Sequence, residues 1–463
     1  MDSNILFSLI KSFSPVELRE VRKFLNSPFF NLRQDLIQLF EYLAAQSTPT
    51  KHDVWNHLWG IEPFDDQKLR LHFSYLHRLL EKYIIYKESI RDENANQITL
   101  ATAYRRRNQS EAFERTRKNI EKALENQPLR NTYYLELQSK LLWETHQQNY
   151  TINPTDVSQL YELSAVSNHF HLSQKLRLVC LITAHQTVYH SSAEGEWEKE
   201  LLMIAEKPDI ASIPAVEVYL VCYKMLKYPE EELHFKQFKS ILIEKHTLYS
   251  LDEIHALFTY ALNYCVRKIN AHNEKYSQEA LDLYKTGLEK GYLFENGILR
   301  RFTYYNIVAA GLQSNDLEWV RFFIYEYKNR LEKKYRESLF SFNLARLEYT
   351  QKNYGVVLDL LQNSNYRDIL LNLSAKTLLL KTYYDLGEQA SLESHLDAMR
   401  NFIYRKRIIG YHRNNYLNII KYMEKIIRLP ANDSSATAAI KTAIEKEESL
   451  SEKSYFLGIL SAN

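Results

Sequence analysis

Two short apolar stripes separated by a turn constrain this chain more than any other feature. Phe340, Leu344 and Leu347 recur at i, i+4 and i+7, one face of a helix. Asn353-Tyr354-Gly355 break the pattern, and Val357, Leu360 and Leu361 resume it on a second helix. One hairpin of this size cannot bury both stripes against itself, so it needs stacked neighbours. With only 10 glycines and 10 prolines in 463 residues, breakers are scarce, which favours helices joined by short turns. The 34 tyrosines and 21 phenylalanines supply the broad contact area that packed helices use. The expected class is all-α.

Residues 1–93 read as a separate N-terminal helical bundle of about four helices. Ser14-Pro15-Val16-Glu17 is a capping box that opens a helix carrying Val21, Phe24 and Leu25, and Ser27-Pro28 stop it. Leu36, Leu39, Phe40 and Leu43 mark the second helix. Thr50 and Asp53 open a third around Val54, Trp55, Leu58 and Trp59, with Gly60 as its stop. Asp65 or Asp66 caps a longer one bearing Leu69, Phe73, Leu76, Leu80 and Tyr83. Asp92–Asn96 reads as a polar join.

From there to residue 430 helices follow closely, an expected solenoid of helical hairpins over 94–430. Leu176–Ala184 is its most apolar stretch, expected to lie between neighbours. Ser191–Gly195 reads as a loop, and Tyr228-Pro229 ends a helix opened by Ile213-Pro214. Past Leu429-Pro430, the tract ANDSSATAA is a linker within 431–463. Ser435 is then expected to cap a last helix over Ala438–Glu448, with Tyr455, Phe456, Leu457, Ile459 and Leu460 folding back over the preceding repeat.

The repeat is clearest over 253–404. Ile307, Leu344 and Leu380 align at spacings of 37 and 36 residues. Tyr276, Leu317 and Tyr354 follow their turns, and the second helices carry Ala280 and Tyr284, Val320 and Ile324, Val357 and Leu361. This pattern resembles the tetratricopeptide repeat, with a period near 34 residues, though the signature Trp and Pro are absent. The resemblance implies a tetratricopeptide-like right-handed α-solenoid. End to end, SPVELREVRKFLNSPFFN, DDQKLRLHFSYL, LEKGYLFENGIL and LLLKTYYDLGEQ also resemble an uncharacterised bacterial family, a likeness that brings no activity with it. Within residues 1–93, VWNHLWG followed by LRLHFSYLHRLL resembles the recognition-helix stretch of winged-helix domains. The following KYIIYKESIRDENANQ offers no wing strands. Residues 1–100 also carry 12 Lys+Arg against 13 Asp+Glu, where DNA-binding modules are basic. A cap at the end of the solenoid is the preferred reading.

Net charge is +2, which favours neither nucleic acid nor membrane as a bulk partner. Cys180, Cys222 and Cys265 form no disulfide framework or metal motif and read as buried thiols. Asp2 stands where an export signal needs basic residues, and no apolar run approaches the ~18 residues of a membrane span. A reduced, cytoplasmic compartment is expected, so the sequon Asn149-Tyr150-Thr151 is discounted. No phosphate loop, H-E-x-x-H, C-x-x-C or G-x-S-x-G occurs. His185 and His190, with Glu194 beyond, diverge by about 140° on a helix; His169 and His171 diverge too. No metal, cofactor or catalytic residue is expected.

Two features remain. Asn263, Asn306 and Asn343 occupy corresponding positions in successive repeats, where side-chain amides could pair with the backbone of an extended peptide. Residues 398–429 hold eight Lys+Arg, among them Arg405, Lys406, Arg407 and Arg413, against the single acid Glu424. Tyr404, Tyr411, Tyr416 and Tyr422 are interleaved. Such a tract suits single-stranded nucleic acid or an acidic peptide, or it is a solvated helix face. These features point first to a non-enzymatic scaffold that binds a peptide or protein segment in the solenoid groove. The alternative is a nucleic-acid-linked regulator using the N-terminal helices or the basic tract.

Overall fold

The computed structural model describes residues 4–151, 153–155, 157–189, 198–271, 273–362, 366, 368–406, 410–430 and 433–462. The chain is all-α apart from one two-residue strand pair among these residues. It divides into two compact units, Met1–Gln174 and Lys175–Asn463.

The first unit opens with α1 (Ile5–Ser12), α2 (Pro15–Leu25), α3 (Gln34–Ala45), α4 (Lys51–Trp59) and α5 (Asp66–Ser89). That is one helix more than expected. α1 escapes sequence reading because it is only two turns long, capped by the Asn4 side-chain Oδ1, which accepts from the Leu6 and Phe7 amides. Both capping boxes form, Ser14 with Glu17 and Thr50 with Asp53. The five helices enclose one core, with Leu39, Phe40, Leu43, Val54, Leu69 and Leu76 sealed from solvent. Trp55 lies in it and donates its indole N–H to the Glu62 carbonyl at 2.8 Å. The segment where a wing would stand is filled by the end of α5, a short turn and the start of the next helix at Glu93, with no strand in it.

Asp92–Asn96 is no join. Asp92 accepts from the Ala95 amide and starts α6 (Glu93–Arg106) directly. α6, α7 (Ser110–Asn126) and α8 (Thr132–Tyr150) share a second core around Ala101, Phe113, Ile120 and Leu137. α9 (Ser158–Tyr189) runs through the division at Gln174. Its stretch Leu176–Ala184 is not enclosed as expected. Leu176, Cys180 and Thr183 are buried, but Leu178, Leu181 and Ile182 are exposed, so among the described residues the packing falls on one face. The Ser191–Gly195 segment lies outside the described residues.

In the second unit come α10 (Glu198–Ala205), α11 (Pro208–Ala211), α12 (Pro214–Lys227), α13 (Glu232–Glu244), α14 (Leu251–Asn270) and α15 (Lys275–Glu289). A hairpin of β1 (Phe294–Glu295) and β2 (Ile298–Leu299) follows. Its turn, Asn296-Gly297, has both residues at positive φ, the geometry Asn-Gly favours. Then come α16 (Arg301–Gln313), α17 (Leu317–Glu326), α18 (Arg336–Thr350), α19 (Tyr354–Gln362), α20 (Ile369–Asp385), α21 (Gln389–Arg405) and α22 (Gly410–Ile427). From α12 to α22 each helix packs on the next; in addition α16 touches α18 and α18 touches α20.

The hairpin turns are built alike. Asn315, Lys352 and Gly387 each take a left-handed conformation just past the first helix. The following amide then reaches back: Asp316 to the Gly311 carbonyl, Asn353 to Glu348, Glu388 to Tyr383, at 2.9–3.0 Å. This is the Schellman closure. It fixes the angle at which each second helix returns. Ile307, Leu344 and Leu380 are all buried, as are Tyr276, Ala280, Tyr284, Val320, Ile324, Val357 and Leu361. At Gly311 the helices approach so closely that a Cβ would overlap Val320.

The chain ends in α23 (Ser434–Lys446) and α24 (Lys453–Ala462). Asp433, not Ser435, caps α23, accepting from the Ala436 amide. Phe456 and Leu460 of α24 are buried with Leu373, Leu380, Ile419 and Met423. The apolar end therefore does fold back onto the last hairpins.

Candidate functional site

Helix periodicity sets one face of each first helix toward a cavity of about 660 Å³ in the second unit. Tyr305, Ala309 and Gln313 come from α16 at i, i+4 and i+8. Phe342 and Arg346 come from α18 at i and i+4. α20 contributes Ser374, Thr377, Leu378 and Lys381, and α22 contributes His412, Asn415 and Tyr416. The opposite faces, carrying Ile307, Leu347 and Leu380, are buried. Each first helix is thus two-faced, apolar toward its neighbours and mixed polar–aromatic toward the cavity.

Arg346 is held in place but not neutralised. Its guanidinium donates to the Tyr305 carbonyl at 3.3 Å and the Asn343 side-chain oxygen at 3.1 Å. It lies 4.3 Å from the Tyr305 ring centre, and that ring stacks parallel to Phe342. Among the described residues no carboxylate pairs with it. Lys381 is different: its ammonium donates to Glu452 at 2.9 Å. The Ser451 amide donates to the Asn415 side-chain oxygen at 2.6 Å. The segment leading into α24 therefore closes one side of the cavity.

A smaller cavity of about 130 Å³ shares Tyr305 and Ser374 with the first. Phe302, Leu339 and Leu371 make it largely apolar. Arg301 pairs with Asp368 at 2.6 Å across its mouth and lies over the Phe302 and Tyr335 rings. Together the two cavities offer an apolar pocket beside a polar, cationic one.

The asparagine row does not form. Asn263 is exposed on α14, Asn306 is half-buried and hydrogen-bonded to Tyr284, and Asn343 is fully buried. The Asn343 amide donates to the Leu339 carbonyl at 2.8 Å and its oxygen is taken by Arg346. None of the three lines either cavity. The cause is engagement with other groups: Asn306 and Asn343 sit one turn before the cavity-lining Ala309 and Arg346, but Asn306 bonds to Tyr284, and the Asn343 amide is taken by the Leu339 carbonyl and by Arg346 itself. Arg346 was missed because its meaning lies in having no acid nearby, which spacing along the chain does not show.

In the basic tract Arg405, Lys406 and Arg413 are exposed, while Arg407 lies outside the described residues. The Arg413 guanidinium is over Tyr404, 5.5 Å from its centre. Tyr404 and Tyr411 are exposed, but Tyr416 and Tyr422 are buried in the packing, so the four rings do not form one stacking row. Arg400 is tied to Glu424 and Asp397. Lys376, on α20, has its pKa lowered by burial and then by the charge of Arg405.

The three cysteines are buried free thiols. Cys180 donates to the Tyr219 carbonyl at 3.2 Å. Burial, then contact with Cys180, raises the Cys222 pKa. Among the described residues no cluster of His, Cys, Asp or Glu could hold a metal, and no helix is long and apolar enough to cross a membrane. His190 and Glu194 lie outside the described residues. Compared with models of protein families, with curated proteins and with solved structures, the chain matches none.

Proposed function

We propose that the second unit is a tetratricopeptide-like right-handed solenoid serving as a non-enzymatic scaffold that grips an extended peptide or protein segment. One observation carries this reading: the same helical face of α16, α18, α20 and α22 is turned to one cavity. Successive first helices lining one surface is what a stacked-hairpin array offers a partner. The uniform closure at Asn315, Lys352 and Gly387 supports equivalent hairpins. Arg346 in the larger cavity would take an acidic side chain of the segment, and Phe302 with Leu371 in the smaller one an apolar side chain. A cytoplasmic setting suits three unoxidised buried thiols.

The test is selection of binding peptides from a random displayed library on the full chain, followed by competition with variants. Ala309→Trp, which fills the cavity, should abolish binding; Phe322→Ser, on the exposed face of α17, should leave it intact. Equal binding by both variants would contradict the reading. The nucleic-acid alternative keeps the exposed Arg405, Lys406 and Arg413 beside Tyr404 and Tyr411. It requires oligouridylate binding that falls steeply with salt.

A further inference from the structure

The first unit carries a second surface, independent of the cavity above. Between α2 and α3 the turn 26–33 presents Phe29 and Leu32 to solvent, 89% and 86% exposed. These are among the most exposed large apolar side chains of the protein, and they are not on a loose loop. Asn31 beneath them is buried. Its amide donates to the Leu25 and Arg33 carbonyls, both at 3.0 Å, and its oxygen accepts from the Arg33 amide at 3.0 Å. Phe30 stacks on Phe24 with ring centres 4.1 Å apart. Buried hydrogen bonds and a stacked ring thus hold two apolar side chains out in water, an arrangement that lowers the entropy lost when a partner covers them.

Beside this turn lies a groove of about 510 Å³, walled on its far side by α5. Tyr75, Arg78 and Lys82 of α5 line it and no carboxylate does. Arg33, also in the wall, is already held by Asp35 at 2.5 Å. Arg78 and Lys82 are exposed and pair with nothing among the described residues. They are one helical turn apart, so their side chains start about 5–6 Å from each other.

From this juxtaposition we infer that the groove between the 26–33 turn and α5 is a docking site for an acidic amphipathic helix of a partner protein. The partner's apolar stripe covers Phe29, Leu32 and Tyr75. Carboxylates one turn apart on its flank meet Arg78 and Lys82. An apolar floor with two unpaired cations at helical spacing matches that chemistry. A membrane would require the apolar side chains to project in a plane rather than flank a groove, and a duplex would leave Phe29 and Leu32 uncovered.

The probe is a phage-displayed library of helical peptides with randomised apolar and charged positions, selected on the full-length protein. Enriched sequences should carry Glu or Asp at i, i+4 beside Leu or Phe. Their affinity should fall at least about tenfold in Phe29→Ser/Leu32→Ser and in Arg78→Glu/Lys82→Glu. Those side chains are exposed, and circular dichroism confirms that each variant is folded. Absence of enrichment, enrichment of neutral or basic helices, or equal binding by all variants would overturn the assignment. It would also be overturned if phosphatidylserine vesicles or duplex DNA, but no peptide, bound in a manner lost in these variants.

Discussion

The Lys381 ammonium of α20 meets the Glu452 carboxylate at 2.9 Å and sits 4.5 Å from the centre of the Tyr455 ring. This contact joins residues 71 positions apart and fastens the end of the chain to a first helix. Tyr455 adds a hydrogen bond to Asp385 at 2.8 Å. The last helix is therefore a structural member of the second unit.

Removing its anchor should show this. Phe456 is fully buried among Leu373, Leu380 and Ile419. Phe456→Ala is expected to lower stability by about 3–5 kcal/mol. Urea unfolding followed by circular dichroism measures it; a loss under ~1 kcal/mol would mean that α24 is not packed as described.

The Tyr219 hydroxyl donates to Glu253 at 2.6 Å, linking α12 to α14. Burial first, then the Glu253 charge, hold the Tyr219 pKa well above its ordinary 10.0. Tyr249 and Tyr304 are raised by burial as well. An unfolded tyrosine loses its proton near pH 10, before these do, so the unfolded chain binds fewer protons there. The stabilisation is present below pH 10 and is lost as pH rises above it. Tyrosinate absorbance should show these groups ionising only together with loss of helical circular dichroism. Ionisation of every tyrosine near pH 10 with helicity retained would contradict this.

Gly311 is the close approach between α16 and α17. Gly311→Ala would ordinarily favour a helix, yet the new methyl meets Val320. A net destabilisation of about 1–3 kcal/mol is expected, partly restored by Val320→Ala. Additive effects in a double-mutant cycle would argue against that contact.

Arg346 faces the cavity, and no acid among the described residues pairs with it. Arg346→Gln should weaken binding of selected groove peptides about tenfold or more, mainly those with acidic residues. Arg346→Lys, which keeps the charge but not the fork, should recover only part of the affinity. Titration by fluorescence anisotropy distinguishes the three proteins.

Much of the helical pattern was legible because it rests on local periodicity. Ile307, Leu344 and Leu380 align in sequence and are all buried, and the turn before Tyr354 falls where the apolar stripe breaks. Asn296-Gly297 is a hairpin signal too, but no strand pair was expected there. What failed is what depends on neighbours distant in sequence. Asn343 reads as polar and available, yet the Leu339 carbonyl and Arg346 occupy it. Leu178 and Leu181 read as enclosed, yet each is about half exposed. The importance of Arg346 arises from a missing partner, and that of Phe29 and Leu32 from a buried asparagine beneath them.

The central claim is that a partner segment rests on the first helices. The most direct measurement places the photocrosslinker p-benzoylphenylalanine at Ala309 of α16 and, separately, at Phe322 of α17, then irradiates each protein with a library-selected peptide. Crosslinking at 309 and none at 322 is the expected result. Crosslinking at 322 but not at 309 would contradict it.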